Sequence, residues 1–97
     1  MRLDEDERAS ALEALPQWTF DEAAAAIRRS FVFADFAEAF AFMTRVAAAA
    51  EAVDHHPDWS NSWNRVEIAL TTHSAGGVTA LDLELARTIN SLAGLPS

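Results

Sequence analysis

Residues Asp35–Asp54 leave this chain the least freedom. Phe36, Phe40, Met43, Ala47 and Ala50 recur at helical spacing, and Ala39, Phe42, Val46, Ala49 and Val53 form a second, adjacent stripe. Asp35 can serve as an N-cap, and Glu38 three residues on completes a box-like pattern, so the stretch predicts one long helix. Its apolar surface is wider than a single sheet needs, which predicts that a second subunit also covers it. The run Ala39–Val53 is cut by Thr44, Arg45 and Glu51 and is no membrane span.

The rest of the chain arranges itself around that helix. Asp4–Leu15 reads as a first helix, with acidic residues in its first turn, sparse apolar positions at Leu3, Leu12 and Leu15, and Pro16 as its stop. Gln17–Asp21 reads as a strand in which Trp18 and Phe20 alternate. Ala23–Ala26 favours helix locally, but Ile27, Phe31 and Phe33 lie on one side at period two, so a hairpin is expected. A short strand is expected around Trp59–Trp63. Val66, Ile68 and Leu70 alternate with Arg65, Glu67, Ala69 and Thr71 in a half-buried strand. Ser74-Ala75-Gly76-Gly77 is a turn. Thr79 caps a last helix with Asp82 at its third position, Leu81, Leu85, Ile89 and Leu92 as its core stripe, and Gly94 and Pro96 at its end. The order is α-β-β-α-β-β-α. It predicts an α+β fold in which an antiparallel four-stranded sheet carries three helices packed on one face, in a single domain over residues 1–97.

Several function classes are disfavoured at once. A net charge of −8 argues against a broad grip on nucleic acid or on anionic lipid. The absence of cysteine rules out disulfides, iron–sulfur clusters and Cys-based zinc sites. The acidic start, Met1-Arg2-Leu3-Asp4-Glu5-Asp6-Glu7, is unlike a secretory signal, and a cytoplasmic location is expected.

The residues suited to chemistry are few. The three histidines, His55, His56 and His73, all fall between positions 55 and 73. Two close the long helix and one ends the clean strand, and such ends can converge on one cleft. Imidazole titrates near neutrality and can both give and take protons. Glu51 lies four residues before His55, on the same helix face if the helix reaches that far, where it could orient that ring. Blander roles compete. A lone histidine is usually a surface or cap residue, and His55 could merely offset the helix dipole. Three histidines with Asp54 or Glu51 could hold zinc or iron, but adjacent histidines rarely reach one ion and no HExxH pair is present. Trp59 and Trp63 could stack on a flat heterocycle or pack a loop. Asp82 is by default a capping residue.

The segment Glu51-Ala52-Val53-Asp54-His55-His56-Pro57-Asp58-Trp59 resembles the central motif of the pterin-4a-carbinolamine dehydratases. That motif continues with an aromatic matched by Trp63, a strand matched by Asn64–Thr71, a Thr-His pair matched by Thr72-His73, and an Asp matched by Asp82. Phe31–Phe36 and Ala41–Ala47 also resemble family segments, and the likeness spans roughly residues 17–92. Trp63 stands where Tyr is common and Ser60 where an aromatic is frequent. The resemblance implies a four-stranded sheet with helices on one face, assembled as a homodimer or homotetramer, here through helix 35–54 and a sheet edge. It implies elimination of water from a 4a-hydroxytetrahydropterin to give quinonoid dihydropterin, in tetrahydrobiopterin recycling, with no metal and no organic cofactor. It assigns His55 and His73 as the acid/base pair. His56 grips the pterin and can share the proton chemistry, and Glu51 orients or charges His55. Pro57, Trp59, Thr72, Ser74 and Ala75 are implied as pterin contacts. The alternatives are a dimerisation module of the transcriptional-coactivator kind and a pterin- or molybdopterin-related auxiliary protein.

Overall fold

The computed structural model describes residues 1–94. Its elements are helix α1 (Glu5–Glu13), strands β1 (Thr19–Asp21) and β2 (Ala26–Val32), helix α2 (Phe36–Val53), strands β3 (Asp58–Ser62) and β4 (Arg65–Leu70), and helix α3 (Ala80–Ala93), with a short 3-10 turn at His73–Ala75. This is the expected α-β-β-α-β-β-α order. The four strands form one antiparallel sheet in the order β1-β2-β4-β3. The central pair joins segments far apart in the chain, with Ile27 opposite Leu70 and Phe31 opposite Val66.

Side chains alternate across a strand, so the sheet acquires one apolar and one polar face. Ile27, Phe31, Val66, Ile68 and Leu70 are buried, whereas Arg28, Ser30, Arg65 and Glu67 are exposed. All three helices lie on the apolar side. Phe42 of α2 packs with ring centroids 4.9 Å from both Phe31 and Phe33, and Leu85, Ala86 and Ile89 of α3 complete the same core. Asn90 ties α3 to the sheet, its Oδ1 accepting from Trp18 Nε1 at 2.9 Å and from the buried Arg29 at 2.6 Å.

Each helix starts on a satisfied cap. Asp4 and Glu7 form a capping box on α1, Asp35 accepts from the Glu38 amide on α2, and Thr79 and Asp82 form a second box on α3. The alanines yield, as expected, to the hairpin: Ala25 takes a positive φ of 52° in the turn and Ala26 opens β2.

Four expectations are corrected. Helix α1 stops at Glu13 rather than Leu15, because the Ala14 and Leu15 amides turn back on Ala11 and Leu12 ahead of Pro16. Strand β1 starts at Thr19, since Trp18 is drawn into the core by Asn90 and its amide bonds Leu15. The inward stripe of α3 is Asp82, Leu85, Ala86, Ile89 and Ala93. Leu81, one residue out of phase, is 52 % exposed. On α2 the two expected stripes merge into one buried line, Ala39, Phe42, Val46 and Ala50, leaving Phe36, Phe40 and Val53 exposed. The expected stop at Pro96 lies outside the described residues.

Candidate active site

The end of α2 sets the position of the first histidine. Asp54 adopts a left-handed conformation (φ 51°, ψ 44°). The Asp54 amide bonds the Glu51 carbonyl and the His55 amide bonds the Ala50 carbonyl, at 3.2 and 3.1 Å. These are the paired bonds of a Schellman stop, and they turn the chain out of the helix before His55.

His55 therefore does not share a face with Glu51. Its ring reaches the first turn of α3, where Nε2 lies 2.6 Å from Oδ1 of Asp82. Asp82 is completely buried and the His55 side chain is only 12 % exposed. The other carboxylate oxygen of Asp82 accepts from the Thr79 amide at 2.8 Å and from the Thr72 hydroxyl at 2.9 Å. Thr72 directly precedes His73 and bridges to Gly77 across the turn. One buried carboxylate thus ties the His55 segment to the His73 segment.

The other two histidines lie on the surface. His56 Nε2 is 2.6 Å from Glu51 Oε1. His73, 81 % exposed, has Nε2 3.5 Å from Oδ2 of Asp58, at the start of β3. That second contact again links the 55–58 segment to the 72–73 segment. Each histidine has its own carboxylate, and among the described residues no three such side chains gather as metal ligands would.

Two hollows flank the Asp82 network. A cavity of about 680 Å³ is lined by Thr72, Ser74 and Ala75 together with Arg2, Ala80 and Leu81. A narrower crevice of about 100 Å³ is lined by Val53, His55, Leu81 and Leu85. Leu81 borders both; no histidine lines the first and His55 alone lines the second. Trp59 is half-buried against the core and also borders an open groove with Arg28, Asp58 and Glu67. Pro57 is half-buried in the link from His56 to β3, and Trp63 is exposed in the hairpin beyond it.

Three readings of the sequence change. Glu51 contacts His56 and not His55. The Thr72 hydroxyl donates to Asp82 and contacts Thr79, so it has no hydrogen left to donate to a ligand. Asp82, read as a cap, is both a cap and the partner of His55. The available hint was its match to the motif's final Asp, together with its place at a helix start that the core would bury.

Comparison with known proteins bears on these residues. Residues 1–92 match the family model described as pterin 4 alpha carbinolamine dehydratase. A Rhizorhabdus wittichii protein, provisionally named pterin-4-alpha-carbinolamine dehydratase, is 59 % identical over 91 residues that make up 94 % of each chain. A crystal structure from Brucella melitensis, described as a transcriptional coactivator/pterin dehydratase, is 50 % identical with a TM-score of 0.93, covering 97 % of this chain and 100 % of its own. A pterin dehydratase-like protein described as a RuBisCO assembly factor in the alpha-carboxysome superposes with a TM-score of 0.70. It covers 82 % of this chain and 93 % of its own, and at 23 % identity it shares the fold alone.

Proposed function

The chain belongs to the pterin-4-alpha-carbinolamine dehydratase family, and from that premise we propose that it removes water from a 4a-hydroxytetrahydropterin. The proton on nitrogen 5 leaves, a proton is delivered to the hydroxyl on carbon 4a, the carbon–oxygen bond breaks and a carbon–nitrogen double bond forms. Quinonoid dihydropterin and water result, as a step in tetrahydrobiopterin recycling. His55 and His73 are the acid/base pair. His56, oriented by Glu51, grips the pterin and shares the proton chemistry. Pro57, Trp59, Ser74, Ala75 and the Thr72 backbone bound the ring. Proton transfer on each side of a flat ring is sufficient for this chemistry, so the reaction asks for no metal and no organic cofactor.

The observation that carries this reading is the buried Asp82 carboxylate, which bonds both His55 and the residue next to His73. That shared carboxylate links the segments that carry the two proposed proton-transfer groups, which supports the reading. Stopped-flow decay of a 4a-hydroxytetrahydropterin, with and without protein and chelator, tests it. Acceleration that survives the chelator supports the reading, and an unchanged decay overturns it.

The protein works as a homodimer or homotetramer in the cytoplasm. The exposed Phe36, Phe40 and Val53 of α2 form one contact and an edge strand of the sheet the other. The same α2 face favours a second reading, a dimerisation module, which the description of the Brucella melitensis relative also suggests. Light scattering separates the two, since a stable homo-oligomer supports self-association and a one-to-one complex with a different protein supports the module.

A further inference from the structure

Asp82 is fully buried, so its lone pairs must be met inside the protein. Oδ2 accepts from the Thr79 amide and the Thr72 hydroxyl. The Thr72 proton is thereby committed. In the 2.8 Å contact between the two threonine hydroxyls it is therefore Thr79 that donates. Thr79 Oγ1 in turn accepts from the Leu81 amide at 3.2 Å. Each of these hydrogens runs toward Asp82. With Asp82 as a carboxylate, its Oδ1, 2.6 Å from Nε2 of His55, accepts there too. Nε2 therefore carries a hydrogen. Nδ1 has no side-chain or backbone partner among the described residues, yet the only buried side-chain nitrogen or oxygen left unpaired among them is Arg29 Nε. Nδ1 thus keeps some exposure to solvent.

We propose that Asp82, tethered by Thr72 and Thr79, is a positioning residue that holds His55 as its Nε2–H tautomer and makes Nδ1 the nitrogen that trades protons with the pterin. The tautomer rests on these contacts with Asp82 as a carboxylate, whereas the exchange with the pterin rests on the dehydratase reading. The device differs from a simple cap. The same carboxylate that satisfies the start of α3 selects which edge of an imidazole is basic.

Asp82→Asn tests this sharply. The asparagine oxygen must face the two donors, the Thr79 amide and the Thr72 hydroxyl, which leaves its NH2 against Nε2. Nε2 must then accept, and the ring hydrogen moves to Nδ1. A wrong tautomer in an otherwise intact site costs serine proteases about 10⁴-fold. Here kcat is expected to fall by about a hundredfold or more with KM little changed. Long-range ¹H–¹⁵N NMR of the full chain, recorded where the histidines are neutral, reads the tautomer directly. Wild type is expected to carry the His55 hydrogen on Nε2, D82N on Nδ1, and Glu51→Gln on Nε2. Should D82N fail to fold, Thr72→Val is expected to populate both tautomers and lower kcat about tenfold, with Thr72→Ser restoring both. A wild-type hydrogen on Nδ1, or full activity in D82N or T72V, overturns the proposal. A protein that never dehydrates the pterin but still inverts its tautomer in D82N overturns the dehydratase reading and leaves the hold of Asp82 on His55 intact.

Discussion

Glu51 lies 2.6 Å from His56 and not against His55, the residue four positions along from it. The cause is local. The left-handed Asp54 ends the helix one residue before His55, so the face that carries Glu51 never reaches that ring. His56, swung back over the last turn, takes the contact instead.

The two arrangements differ in coupling. In a double-mutant cycle on the dehydration rate, Glu51→Gln and His56→Gln are expected to be non-additive by roughly 0.5 kcal/mol, the scale of an exposed pair. Glu51→Gln and His55→Gln should simply add. Coupling of Glu51 to His55 instead would contradict the geometry.

His55 and His73 should behave alike in rate and differently in stability. Replacing either with Ala is expected to lower dehydration by on the order of a hundredfold. His73 is exposed, so His73→Ala should shift unfolding by less than about 0.5 kcal/mol. His55→Ala leaves Oδ1 of the buried Asp82 unpaired and should cost about 1–3 kcal/mol. Urea denaturation of the two variants makes the comparison.

The hairpin carries a pH-sensitive pair. A 2.7 Å hydrogen bond from Arg28, helped by the Ala24 amide, holds the Asp21 carboxyl below its ordinary value of 3.8. A depressed folded value means the stabilisation is fully present above the unfolded value and lost as pH falls through the folded one. Wild type should therefore exceed Arg28→Ala in urea midpoint at pH 7. The gap should narrow as pH drops below about 3.8. An unchanged gap at low pH would show that the pair does not act through Asp21.

Assembly should be separable from folding. Phe40 is 56 % exposed in the single chain, so Phe40→Ser removes little of the core. It is expected to shift a homo-oligomer toward monomer in light scattering while the circular dichroism spectrum is kept. A variant that stays assembled moves the interface away from α2.

Much of the architecture was legible because it rests on periodicity. The helix at Asp35–Asp54 and the strand from Arg65 have strong repeating patterns, and both occur within a residue of where those patterns end. Leu81 escaped because propensity ranks it above Asp82 for a core position, while the phase of α3 and the hydrogen bonds of Thr79 and Thr72 reverse that order. The histidines were visible as residue types. Their partners were not, because a pairing across 27 positions, as between His55 and Asp82, leaves no trace in local spacing.

Because one carboxylate both starts α3 and contacts His55, heat should silence the proposed dehydration before it denatures the fold. Fraying of the first turn of α3 would free Asp82 to swing toward water and release the imidazole while the sheet still holds. Thermal inactivation is then reversible at its onset, and activity recovers on cooling as fast as a single helical turn can rewind.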